Sequence, residues 1–97
     1  GQLAGAQRLL LLLERIEAAA RACDAQAFRA GVHALGGTAG NVGAESIARF
    51  CRELHGTTGD GLRHRGLDYV DRLQREFSRF QRELANCSAT LRRSMSG

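Results

Sequence analysis

The length, composition and charge of this sequence describe one small helical domain. Ninety-seven residues can enclose a single modest hydrophobic core, and a composition with 43% apolar residues, one tyrosine, four phenylalanines and no proline favours helices over strands. The net charge of +4 comes from fourteen basic and ten acidic residues that are interspersed, without the basic block and interleaved aromatic residues typical of nucleic-acid binding, so we expect no nucleic-acid partner.

The cysteines and the apolar segments point to a reducing compartment and to no membrane insertion. Cys23, Cys51 and Cys87 are odd in number and widely spaced, which indicates neither a disulfide framework nor a zinc site. The apolar run from Leu9 to Leu13 is far shorter than the roughly 20 residues that cross a bilayer. No signal peptide is visible, and the start GQLAG suggests a fragment of a longer protein. We expect residues 1–97 to form one domain of that protein.

The first half of the chain predicts two amphipathic helices. The first runs from Leu3 to about Ala22, and Asp24 then has the residue type of an N-cap for the second helix, which carries His33. Apolar residues recur at steps of three and four in both helices, which is the spacing of a buried stripe. These stripes are Leu9, Leu12, Leu13, Ile16 and Ala20 in the first helix, and Phe28, Val32, Leu35, Ala39 and Val42 in the second.

The second half predicts a short third helix and a long fourth one. Gly43 ends the second pattern, Glu45 opens the third helix, and His55 with Gly56 closes it. Residues 57–61 read as a linker, and the fourth helix is expected from Leu62 onward. Its apolar stripe is Val70, Leu73, Phe77, Phe80, Leu84, Cys87 and Leu91. Cys51 and Cys87 fall on apolar stripes and are predicted to be core residues.

Short connections between amphipathic helices favour antiparallel neighbours. The sequence therefore predicts an all-α fold, an antiparallel up-down four-helix bundle with the histidine on the second helix.

The segment HALGGTAGNVGA, residues 33–44, places one histidine and four glycines in this helical pattern. His33 lies about 100° from Val32 around the helix, so we expect its imidazole to face solvent. Its neighbours on the same surface are Arg29, Gly36, Gly37 and Gly40. Either the glycines leave the imidazole open to a bulky partner, or they let another helix pack closely or end this helix early. No phosphate-binding loop and no catalytic triad accompany His33.

The same segment resembles the signature of the histidine-containing phosphotransfer (HPt) domain family. The matching residues are His33, Leu35, Gly37, Thr38, Ala39, Val42, Gly43 and Ala44. The resemblance extends over essentially the whole chain. It implies a monomeric relay domain, the C-terminal module of a bacterial hybrid sensor histidine kinase, in the cytoplasm or tethered to the inner membrane through that kinase.

The resemblance also implies a reaction. His33 would accept a phosphoryl group, through Nε2, from the aspartate of a receiver domain and pass it to another receiver. The isolated domain would have no ATP-dependent activity and no cofactor of its own, with Mg²⁺ held by the receiver. Arg29, Gly36, Gly37 and Gly40 would form the surface on which the receiver docks.

Position 36 departs from the family signature, because Gly36 stands where the family usually has lysine. One interpretation is that Arg29 or a partner residue supplies the missing cation. The other is that the domain transfers poorly, or is a non-catalytic bundle that docks a receiver or another regulatory protein without phosphotransfer. If Gly36 is helical and exposed, Gly36→Lys should stabilise the domain by up to about 1 kcal/mol.

Overall fold

The computed structural model describes the backbone of residues 2–96 and the side chains of residues 4–87. All regular structure in this part of the chain is helical. The elements are α1 (Gln2–Arg21), α2 (Ala25–Asn41), α3 (Glu45–Glu53), a 3₁₀ turn (Leu54–Gly56) and α4 (Gly59–Ser96). Both α1 and α3 pack against α2 and α4. The predicted all-α four-helix bundle, with the histidine on the second helix, is confirmed.

The ends of α1 and α2 share one backbone motif. Cys23 and Gly43 follow the two helices with φ angles of 54° and 81°, which is the left-handed conformation. In both places the next residue donates its N–H to the carbonyl oxygen five residues earlier, at 2.9 Å after Cys23 and 2.8 Å after Gly43. The Asp24 side chain then accepts a hydrogen bond from the Ala27 N–H at 3.1 Å, which confirms the predicted N-cap of α2. These motifs set the sharp reversals between consecutive helices.

The predicted stripes of α1 and α2 form the centre of the core. All of their residues are buried except Leu12 and Val42, which are half-buried against the same cluster. The largest fully enclosed side chains from these two helices are Leu9, Ile16, Phe28, Val32 and Leu35. Periodicity alone therefore gave the correct inner faces of both helices.

The third helix is held on the bundle by an aromatic contact with α4. Phe50 is buried, and the Arg72 guanidinium carbon lies 4.0 Å from the centre of its ring. The Tyr69 ring meets Phe50 edge-on, with ring centres 6.3 Å apart. These contacts hold α3 against α4.

The fourth helix begins at Gly59, three residues before the predicted start at Leu62. The Thr58 hydroxyl oxygen accepts a hydrogen bond from the Gly61 N–H at 3.1 Å, so Thr58 acts as the N-cap. The Thr58 cap satisfies one of the N–H groups that a first helical turn leaves without an intrahelical partner, and this helps α4 to start on a turn that contains two glycines. The observed linker is therefore shorter than the predicted one, which covered residues 57–61.

The stripe of α4 is only partly buried. Val70, Leu73 and Phe77 are in the core, whereas Phe80 and Leu84 are half-buried. Cys87 is exposed, so its prediction as a core residue was wrong. The physical reason is length: α4 has 38 residues against 20 in α1, and it continues beyond the part of the bundle that covers the stripe. The predicted stripe position Leu91 lies outside the side chains that the structure describes.

Cys51, in contrast, is buried as predicted, and burial raises the pKa of its thiol to about 12.

In the part of the chain that the structure describes, none of the helices is both long enough and apolar enough to cross a membrane.

Candidate functional site

His33 lies in α2 directly after the buried residue Val32 and is exposed to solvent. The one-residue step turns the side chain by about 100°, away from the core. Among residues 4–87, no side chain or backbone group forms a hydrogen bond or ion pair with its imidazole. The predicted orientation toward solvent is therefore confirmed.

A groove of about 510 Å³ runs beside His33 between α2 and the segment formed by α3 and the 3₁₀ turn. From α2 it is lined by Val32, His33, Gly36 and Gly37. From the other wall it is lined by Ala48, Cys51, Arg52 and His55. The second set has the spacing i, i+3, i+4 and i+7, which is one face of a helix. Two helices thus present one surface each to the same groove.

The glycines around His33 have two different roles. A Cβ atom on Gly36 would lie 3.1 Å from the Cβ of Cys51, which is closer than ordinary van der Waals contact. Cβ atoms on Gly37 and Gly40 would meet no atom of another element within 4 Å. Gly36 therefore serves the close packing of α3 on α2, whereas Gly37 and Gly40 leave open surface. Gly36 is half-buried, so the expectation that it is exposed was wrong. The stabilisation by lysine, which was conditional on that exposure, stays a prediction.

His55 lies opposite His33 across the groove. The centres of the two imidazole rings are 5.7 Å apart, and the ring planes are inclined by 48°. The sequence predicts His55 at the end of the third helix and does not relate it to His33. The spacing from Ala48 to His55 indicates which residues share a wall with His55, but the distance of this wall from His33 depends on how closely α3 packs on α2 at Gly36.

Arg29, the predicted cation beside His33, is half-buried, and its guanidinium is engaged in a hydrogen bond. Its Nη1 donates a hydrogen bond of 2.8 Å to the backbone carbonyl oxygen of Thr57. The Thr57 hydroxyl in turn donates to the carbonyl oxygen of Leu54 at 2.7 Å. These two bonds tie the 3₁₀ turn to α2. Arg29, which precedes His33 by one turn of α2, therefore holds the 3₁₀ segment that carries His55.

Among the described residues that line the groove, Arg52 is the only one with a formal charge, and that charge is positive. Arg52 is exposed, and among the described side chains no carboxylate pairs with it or lines the groove. Cys51 faces the groove as a neutral thiol, because burial keeps its pKa at about 12. No three histidine, cysteine or acidic side chains of the described residues come together as a metal site would require. The formal charge of Arg52 would therefore favour an anion over a cation in the groove.

Comparison of the chain with protein-family models matched one family, described as the Hpt domain, over residues 6–85. The matched region includes all of α2 and α3, and with them both walls of the groove beside His33. Comparison with curated proteins and with solved structures gave no match.

Proposed function

Because this chain belongs to the Hpt domain family, whose members act in the phosphorelays of two-component signalling, we propose that His33 accepts a phosphoryl group from the aspartate of a receiver domain. The observation that supports this proposal is the position of His33. It is the exposed imidazole that borders both the groove and the open surface at Gly37 and Gly40.

The proposed reaction is an in-line transfer between two side chains. The lone pair of Nε2 of a neutral His33 attacks the phosphorus atom of the receiver's aspartyl phosphate. An N–P bond forms, the P–O bond to the aspartate breaks, and the aspartate leaves as a carboxylate while the Nδ1 proton stays on the ring. Phosphoryl transfer depends mainly on alignment and charge stabilisation, so a positioned nucleophile is a sufficient contribution from this chain. Mg²⁺ would be held by the receiver.

The receiver is proposed to dock over the surface that surrounds His33. Gly37 and Gly40 leave space for its backbone and acidic pocket, with Arg29 and Gly36 at the edge toward the 3₁₀ turn. A second transfer, from His33 to the aspartate of another receiver, would follow the same geometry in reverse. We further propose that the domain works as a monomer, as the C-terminal module of a bacterial hybrid sensor histidine kinase in the cytoplasm.

The test is phosphotransfer from receiver domains labelled with radioactive acetyl phosphate. Wild-type protein should acquire acid-labile label, His33→Gln should not, and the matched control His64→Gln should behave as wild type. Helicity and melting temperature should be unchanged in His33→Gln, because an exposed side chain contributes little to the core. Binding of a receiver without labelling would contradict the proposal and support the non-catalytic docking bundle instead.

A further inference from the structure

We propose that a phosphoryl group on His33 is bound by the guanidinium of Arg52 and the imidazole of His55. Both residues come from the wall of the groove opposite α2, and together they replace the cation that is missing at position 36. This inference rests on the proposed function of His33 and names the groups that stabilise its phosphorylated form.

The close approach of α3 to α2 brings these groups to His33. Gly36 allows this approach, since a Cβ atom there would lie only 3.1 Å from the Cβ of Cys51. One helical turn after Cys51 along the same wall is His55, whose ring centre is 5.7 Å from that of His33. Any side chain at position 36 would require Cys51 to shift by a few tenths of an ångström. Glycine at this position and a donor pair on the opposite wall are therefore two parts of one arrangement.

The chemistry of the groove suits a phosphoryl group. Such a group carries nearly two negative charges and three acceptor oxygens. Arg52 offers a planar set of N–H donors, and the imidazole of His55 offers at least one N–H in every protonation state. Neither side chain forms a hydrogen bond or ion pair with another side chain among residues 4–87. No carboxylate of the described residues lines the groove, so no competing negative charge has to be displaced.

Arg29 has a different part in this arrangement. One of its N–H groups is engaged by the carbonyl oxygen of Thr57, which fixes the 3₁₀ turn between Leu54 and Gly56. Arg29 is thus a positioning residue for His55, whereas Arg52 and His55 are the residues that contact the phosphoryl oxygens.

The experiment uses phosphoramidate, a small phosphoryl donor that needs no receiver domain. Wild-type protein and variants are incubated with it, and the phosphorylated fraction of His33 is measured by mass spectrometry of peptides under neutral conditions. The test variants are Arg52→Gln and His55→Leu, with Arg52→Lys as the charge-conserving variant. The matched controls are Arg49→Gln, an exposed arginine of the same helix outside the groove, and His64→Leu on α4.

Arg52→Gln and His55→Leu should each lower the phosphorylated fraction of His33 about two- to fivefold at low salt. Arg52→Lys should retain most of it, and both controls should match wild type. The difference between wild type and Arg52→Gln should shrink at high salt, which a purely structural role would not produce. Circular dichroism and melting curves check the fold, and the exposed position of Arg52 keeps one variant folded even if His55→Leu is destabilised.

Two failures are distinguishable. If wild-type His33 is not phosphorylated by phosphoramidate or by any receiver, the proposed function is wrong. If wild-type His33 is phosphorylated and Arg52→Gln has the same fraction at low salt, the donor pair is wrong while the proposed function stands.

Discussion

Arg29 on α2 donates a hydrogen bond of 2.8 Å to the backbone carbonyl oxygen of Thr57, the residue that follows the 3₁₀ turn carrying His55. The two residues are 28 positions apart in sequence. This bond links the helix of His33 to the opposite wall of the groove, so the distance between the two imidazoles depends on it as well as on the packing at Gly36.

Replacing Arg29 by methionine should therefore both destabilise the bundle and alter the groove. Methionine keeps most of the apolar stem but removes a partly buried, charge-assisted hydrogen bond, which should lower the free energy of unfolding by about 1–2 kcal/mol. Urea denaturation measures this loss, and NMR should show shifted ring resonances of His55. The control Arg49→Met, at an exposed position of α3, should stay within about 0.5 kcal/mol of wild type. Equal stability of the two variants would mean that the bond to Thr57 contributes nothing in solution.

The neighbouring glycines Gly36 and Gly37 should respond differently to alanine. Both lie in the interior of α2, where alanine is favoured over glycine by about 1 kcal/mol. Gly37→Ala should gain most of this, because its Cβ meets open space, whereas at position 36 the Cβ would crowd that of Cys51. We expect Gly36→Ala to melt at a lower temperature than Gly37→Ala. If Gly36→Ala is the more stable variant, the walls of the groove can separate without cost.

The sequence predicted the helices and the exposed position of His33 because these follow from local patterns. The stripe from Phe28 to Ala39 fixes which face of α2 is buried, and the position of His33 outside the stripe follows directly. The Asp24 N-cap depends on a residue type and its neighbours alone. The opposite wall of the groove could not be predicted in this way.

His55 meets His33 only because α3 packs closely on α2, and a pattern in one helix carries no information about the distance to another. The role of Gly36 was misjudged for the same reason. Gly36 and Gly37 are adjacent in sequence and both look exposed on a helical projection, yet only one of them faces Cys51. The prediction that Cys87 is a core residue failed for a related reason. An apolar stripe that continues along a helix does not show where the partner helices stop covering it.

The left-handed residues after α1 and α2 provide a matched pair of substitutions. Cys23 adopts φ 54° with a side chain that disfavours this conformation, whereas Gly43 adopts φ 81° without such a cost. Cys23→Gly should raise the free energy of unfolding by about 0.5–1 kcal/mol, and Gly43→Ala should lower it by about 1 kcal/mol. Denaturant titrations measure both. The same sign for the two variants would show that the helix ends differ from the described motif.

The buried thiol of Cys51 should make the bundle less stable at alkaline pH. Its pKa is raised from an ordinary 9.0 to about 12 in the folded protein, so the folded state keeps a proton that the unfolded chain releases. The contribution is fully present below about pH 9 and decreases above it, at up to about 1.4 kcal/mol per pH unit, until the folded pKa is reached. Urea denaturation between about pH 8 and 10 should show this slope in wild type. In Cys51→Ala the slope should be smaller, and an identical slope would assign it to other groups.

A branched side chain at position 37 should hinder phosphorylation of His33 by a large donor, the receiver domain, but not by a small one. A Cβ at Gly37 meets no neighbouring atom within 4 Å, so Gly37→Leu should fold normally while placing its side chain on the surface one turn after His33. Transfer from a labelled receiver should fall at least about tenfold, because steric overlap at a close-packed interface is costly. Phosphorylation of His33 by phosphoramidate should be nearly unchanged, since this donor needs no protein surface. Ala18→Leu, an exposed substitution on α1, is the matched control and should transfer normally with both donors. Normal receiver transfer to Gly37→Leu would place the docking surface elsewhere, and loss with both donors would mean that the leucine covers the imidazole itself.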